Sequence, residues 1–147
     1  MPRGARALPA ACVEILRRAD LILHVGDFTS ADVLGELRSF ARTEGVSGNM
    51  DDAAVRAVVP ERQIVEAAGL HIGLLHDPGP AAGRHERLLR DFVGCDVVAY
   101  GHTHLPEVAR IGDTWIVNPG SPTERRRAPG HTMAVIDAGD PELVELD

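Results

Sequence analysis

Lysine is missing from this chain: all 15 basic residues are arginine. That excludes a lysine nucleophile, a Schiff base and a phosphate loop of the Walker type, which depends on its lysine. Positive charge is also in the minority, because 22 acidic residues bring the formal net charge to −7. A general nucleic-acid binder needs a basic footprint, so no nucleic-acid partner is expected. A phosphate substrate stays open if metal ions supply the local positive charge. Cysteine is scarce. Cys12 and Cys95 lie far apart and read as buried thiols rather than a disulfide or a thiolate metal site. Aromatic residues make up only 3% of the chain, so the core must be aliphatic. No apolar run approaches the roughly 20 residues that cross a bilayer. Arg3 and Arg6 precede Pro9 and a polar helix, not the apolar centre of a signal peptide. The expectation is one cytoplasmic domain over residues 1–147, with no membrane partner.

What is present is a regular alternation of elements. Leu8, Cys12, Ile15, Leu16 and Ala19 fall at helical spacing, with Pro9 in the first turn. Leu21 to Val25 reads as a buried strand closed by Gly26-Asp27. A helix capped by Ser30 follows, with Val33, Leu34, Leu37, Phe40 and Ala41 inward and Arg38 and Arg42 at its end. A short helix over 52–59 stops at Pro60. Strands are expected at 63–66 and 70–75, joined at Ala68-Gly69, then a helix over 84–92 and a strand over 96–100. A hairpin turning at Gly112-Asp113 and two closing strands, 132–136 and 143–146, complete the chain. The first two thirds read as a parallel, helix-covered sheet, and the last third as a mostly antiparallel sheet beside it.

Several strands end in a residue able to hold a metal. Asp27 follows Val25-Gly26, Asn49 follows Gly48, His76 follows Leu75, and Tyr100 leads into Gly101-His102-Thr103-His104. Ligands in open α/β sheets bind at the carboxyl ends of strands, so the topology would gather Asp27, Asn49, His76, His102 and His104 at one edge. His102 and His104 are two apart. In extended backbone they would point the same way, roughly 7 Å between Cα atoms. Oxygen and imidazole donors without thiolate suit manganese, iron, zinc, cobalt or nickel. A carboxylate such as Asp27 can bridge two ions, and a hydroxide held between two ions is a strong nucleophile at neutral pH.

Gly26-Asp27, Gly48-Asn49-Met50-Asp51, His76-Asp77, Gly101-His102-Thr103-His104 and Asn118-Pro119-Gly120-Ser121 together resemble the ordered motifs of the calcineurin-like metallophosphoesterases. They look most like the small prokaryotic phosphodiesterase branch. The resemblance implies a four-layer αββα sandwich of the α/β class and a site for two divalent ions, manganese first, with nickel, iron, zinc, cobalt or magnesium as alternatives. By resemblance Asp27 would bridge, Asn49, His76 and His102 would complete one metal, and His104 would bind the other. Asp51 would orient a ligand or the substrate, and Asp27, Asn49, Asp51 and His76 would form the catalytic set. The implied activity is a metal-dependent phosphoesterase, more specifically a phosphodiesterase, in which metal-bound hydroxide attacks phosphorus. The partner is a small phosphate ester, and a homo-oligomer stays open.

Two departures qualify the resemblance. The family opens on a strand ending in Asp-x-His, which supplies the remaining ligands of one metal. This chain opens on a helix, so the expectation is a domain lacking the first strand, short of a central strand in its sheet, with one metal kept and the one at His104 in doubt. Met50 stands where many larger relatives place a proton-donating histidine, and a thioether cannot donate. The competing reading is a binding scaffold on the same fold, as in a retromer subunit. Outside these motifs, His24 reads as structural or as support for a ligand, and His85 as lying on an exposed helix face. His131 reads as structural, and Arg125-Arg126-Arg127 as a solvated loop or a phosphate clamp.

Overall fold

The computed structural model describes residues 1–2 and 6–147, so Arg3 lies outside the described residues. The first helix, α1 (Ala10–Arg18), starts one residue after Pro9, which is its N-cap. It leads into β1 (Leu21–His24) and α2 (Ala31–Phe40), where the Ser30 hydroxyl accepts from the Val33 amide. The helix ends at Phe40, so Arg42 does not close it. Arg42 instead opens β2 (Arg42–Gly45), a strand absent from the sequence reading. Arg-Thr-Glu-Gly carries no apolar alternation, and β2 exists because it pairs in parallel with β1, from Leu21 opposite Arg42 to His24 opposite Gly45. A short helix, α3 (Ala53–Val58), follows, capped by the Asp52 side chain.

The next elements are β3 (Arg62–Ala67), β4 (Leu70–Leu75), α4 (Arg84–Asp91), β5 (Val97–Tyr100), β6 (Glu107–Ile111) and β7 (Thr114–Asn118). They build a five-stranded sheet in the order β3-β4-β5-β7-β6. Its centre, β4, β5 and β7, is parallel, and both edges are antiparallel. The parallel core therefore lies mid-chain, and the 107–118 hairpin joins it instead of founding a separate sheet. The chain closes with the hairpin of β8 (Thr132–Asp137) and β9 (Asp140–Glu145).

Side-chain alternation sorts these elements into layers. Ile22 packs outward with Cys12, Leu16, Leu34, Leu37 and Val55 of the helices, against Met133 and Val144 of the last hairpin. Leu21, Leu23 and Val25 turn inward with Ala134 and Ile136, onto Val65, Ile72, Leu74, Val97, Ala99 and Val117. On β5 the alternate residues Val98 and Tyr100 face α4 through Leu88 and Phe92. A strand covered on both faces is apolar throughout, as Val97–Tyr100 is. The result is the αββα sandwich: α1–α3, then β1-β2 with β8-β9, then the five-stranded sheet, then α4. The outer sheet is in two pieces. Among the described residues β1 bonds only β2 and β8 bonds only β9. A cavity of about 120 Å³ lies between them, lined by Ile22 to Val25 on one side and Thr132 to Ala134 on the other.

Candidate metal centre

The carboxyl ends of strands from both sheets meet at one edge. After β1, Gly26 and Asp27 both take left-handed backbone angles, φ 99° and 60°, which turn the chain sharply. A side chain at Gly26 would run into the His76 ring, and one at Gly48 into the Asp27 carboxylate. These two positions need glycine because the site is packed through them.

Hydrogen bonds then lock the loops. Asp27 Oδ1 accepts from the Met50 amide at 2.8 Å. Asp51 is buried, and its two oxygens accept from the amides of Thr29 (2.7 Å) and Gly48 (2.6 Å). Asp51 therefore ties the Asp27 loop to the Asn49 loop; it is a positioning residue with both oxygens engaged by backbone. Buried Asn118 does the same for the histidine loop, donating to Thr103 Oγ1 and accepting from the Gly120 amide, both at 2.9 Å.

His76 is the hub. Only 6% of it is exposed, and its Nδ1 lies 2.7 Å from the Val25 carbonyl. A carbonyl only accepts, so Nδ1 carries the proton and Nε2 presents a lone pair. Around Nε2 stand Asn49 Oδ1 at 2.9 Å, His102 Nδ1 at 3.3 Å and Asp27 Oδ2 at 3.5 Å. The His102 ring meets that of His76 edge-on, centroids 5.2 Å apart. Two acceptor oxygens facing a lone pair repel unless a proton or a cation stands between them. Divalent ions hold nitrogen and oxygen donors at about 2.0–2.2 Å, which puts neighbouring donors about 2.8–3.6 Å apart in octahedral or tetrahedral geometry. The observed separations lie in that range, so Asp27, Asn49, His76 and His102 fit a divalent ion. Among the described residues no group of three His, Cys, Asp or Glu side chains is by itself placed to hold one. The Asn49 amide oxygen stands beside His76 as a fourth candidate donor.

His104 stands apart. Its Nδ1 donates to the Glu124 carbonyl at 2.5 Å, and it lines the same 120 Å³ cavity as Asp27, His76 and His102. Burial holds its imidazole below the ordinary histidine range, and the charge of Arg126 pushes the same way. Both His102 (φ 65°) and His104 (φ 59°) are left-handed, so the extended geometry expected for the pair is not adopted. Such backbone in non-glycine residues clusters at functional loops.

Beyond the edge, His24 is structural. It stacks on Phe28 with centroids 3.8 Å apart, its Nδ1 accepts from the Gly26 amide at 3.2 Å, and burial holds its imidazole well below the ordinary histidine range. His85 does not lie on a free helix face, because its Nε2 sits 2.5 Å from Glu107 Oε1. The other Glu107 oxygen accepts from the Tyr100 hydroxyl. His131 pairs with Asp147 at 2.7 Å. Cys12 and Cys95 are free, buried thiols. Arg125, Arg126 and Arg127 are exposed, and Arg126 donates to the His102 carbonyl at 3.1 Å. Sequence reading missed Asn118 and Val25 as site builders, and also Arg56, which donates to the Asn49 carbonyl at 3.1 Å. Only Asn118 had a signal, its place in the Asn-Pro-Gly-Ser block.

Layering and donor cluster together define an αββα protein with an oxygen-and-imidazole site where two sheets end. The chain belongs to the calcineurin-like phosphoesterase superfamily, whose domain model matches residues 4–140. It is 38% identical over 128 residues to a protein of Methanothermobacter thermautotrophicus named a probable metallophosphoesterase, covering 86% of this chain and 74% of that one. Its fold is similar to Vps29 of Entamoeba histolytica in complex with zinc (TM-score 0.75, 21% identity, 100% of this chain and 94% of that one). It is also similar to a novel archaeal phosphodiesterase (TM-score 0.72, 23% identity, 92% of this chain and 90% of that one). At those identities the two structures speak for the fold alone.

Proposed function

We propose that this protein is a metal-dependent phosphodiesterase whose ion is held by Asp27, Asn49, His76 and His102, with manganese as the first metal to test. The observation that carries the reading is the His76 Nε2 lone pair, fixed by the Val25 carbonyl and facing three further donors within 3.5 Å. A divalent ion supplies Lewis-acid charge there and makes bound water more acidic. The residues do the rest. Val25 and Gly26 hold His76 in one tautomer and position. The Met50 amide holds Asp27 by one oxygen and leaves the other toward His76. Asp51 keeps the two loops in register. His104 lines the cavity with Nδ1 donating to Glu124, which leaves Nε2 free to bind a second ion or accept a proton. Met50 cannot protonate a leaving group, so aryl esters, whose alcohols leave as weakly basic anions, should be the better substrates.

Metal content and hydrolysis of a generic aryl phosphodiester test this reading. The parent should bind manganese and turn over; His76→Ala and Asn49→Ala should lose both, with folding checked by circular dichroism. A parent that neither binds metal nor hydrolyses the ester would favour the second reading, a binding scaffold. The observation on that side is that, among the described residues, no group of three His, Cys, Asp or Glu side chains is placed to hold an ion.

A further inference from the structure

Of the arginines among the described residues, two are anchored on the backbone of candidate metal ligands. Arg56, on α3, donates from NH2 to the Asn49 carbonyl at 3.1 Å. Arg126 donates from NH1 to the His102 carbonyl, also at 3.1 Å. Other arginines bond elsewhere: Arg87 to the carbonyls of Pro78, Pro80 and Ala82, Arg62 to that of Asp91, and Arg125 to that of Pro129. The two anchors rest on different loops, Arg56 on that of Asn49 and Arg126 on that of His102. Arg56 lines an open cleft of about 550 Å³ whose wall includes Asn49 and His76. Arg126 stands over the histidine loop, in a left-handed turn (φ 50°), close enough for its charge to act on His104. Its loop also holds Thr123, whose buried hydroxyl has no hydrogen-bond partner among the described residues.

A guanidinium has five N–H donors in a fixed fork. Each anchoring bond uses one, and both side chains are exposed, so the remaining donors can meet an oxyanion. The chain is acidic overall, and an anionic ester needs a local well of positive charge to enter. Lysine is absent, so arginine is the permanently charged side chain available for this.

Resting on the phosphoesterase reading, we propose that Arg56 and Arg126 are paired phosphoryl clamps, each binding a non-bridging oxygen of the substrate phosphate from one side of the donor cluster. The test is calorimetric titration of the manganese-loaded chain with inorganic phosphate. Arg56→Met and Arg126→Met should each weaken phosphate about ten- to a hundredfold, the range of a lost charge-assisted hydrogen bond. The double variant should be weaker still, Arg125→Met should match the parent, and manganese content should stay constant in all four. The proposal is overturned if the parent does not bind phosphate, or if either single variant binds within about twofold of it. It is also overturned if Arg125→Met loses as much, which would be bulk charge, or if manganese falls in parallel, which would make the arginines loop anchors. Aryl diester hydrolysis by the parent keeps the two failures separate. Turnover with unaltered phosphate binding in the variants sinks the clamp alone, whereas no turnover and no metal sinks the phosphoesterase reading.

Discussion

Individual side chains here are constrained by what already occupies their atoms. Asp51 shows it most directly, since both of its oxygens accept backbone amides. Asp51→Asn keeps one acceptor and turns an NH2 toward the other amide. The expected cost is about 1–3 kcal/mol of stability, read from urea midpoints. A ten- to hundredfold loss of manganese affinity should accompany it, as for other residues that orient ligands. Unaltered affinity would mean that the two loops keep their register without this carboxylate. Titration offers a second check. Burial pushes the Cys12 thiol from 9.0 up to about 11. Burial and the Glu107 carboxylate push the Tyr100 phenol from 10.0 up to about 12. Both groups hold their protons more tightly folded than unfolded, so their contribution is complete below about pH 9 and is lost as pH rises toward 12. Thermal midpoints should fall across that window, and Cys12→Ala should remove the early part of the fall. A flat profile would contradict the burial of these groups.

Among the elements, α3 shows how little sequence can be enough when its ends are right. It has six residues, too few for an isolated helix to persist in water. Asp52 caps it by accepting from the Val55 amide at 2.9 Å, Val55 is fully buried, and Pro60 blocks continuation. Asp52→Ala should cost about 1 kcal/mol. Because α3 carries Arg56, the same variant should weaken phosphate binding more than it weakens the fold, measured by titration and by denaturation. Equal stability of variant and parent would show the cap to be redundant. β2 is the opposite case. Its polar sequence gives no strand signal, and only the open edge of β1 makes it one.

Three apolar clusters hold the described residues together, but their hydrogen bonding is uneven. β5 lies mid-sheet, bonded on both sides and buried along its length. Among the described residues, β1 and β8 each carry one bonded edge and face each other across a cavity. Local opening follows such differences. Hydrogen exchange should therefore show β1 and β8 opening at lower free energy than Val97–Tyr100. Equal protection would mean that the seam is closed in solution. The seam also bears on the site, since Asp27 hangs from the end of β1 and His104 lines the same cavity. Loss of order there should be felt at Asp27 and His104 before the five-stranded sheet gives way.

Apart from β2, the order of the elements, the candidate donors and the glycines between them could be read from the sequence, because each rests on local chemistry: apolar period, caps, and residue types at the ends of strands. Gly26 and Asp27, Asn49, His76 and His102 could be named before any contact was known. Tertiary structure alone decided how they are used. The Val25 carbonyl selects the His76 tautomer, Asp51 is spent on two backbone amides, and His102 and His104 both take left-handed backbone. The outer sheet divides into two pairs, and arginines from α3 and from the 120s loop come to rest on the carbonyls of Asn49 and His102. None of these has a sequence signature, because each depends on which carbonyl, amide or strand edge distant segments present to one another once packed.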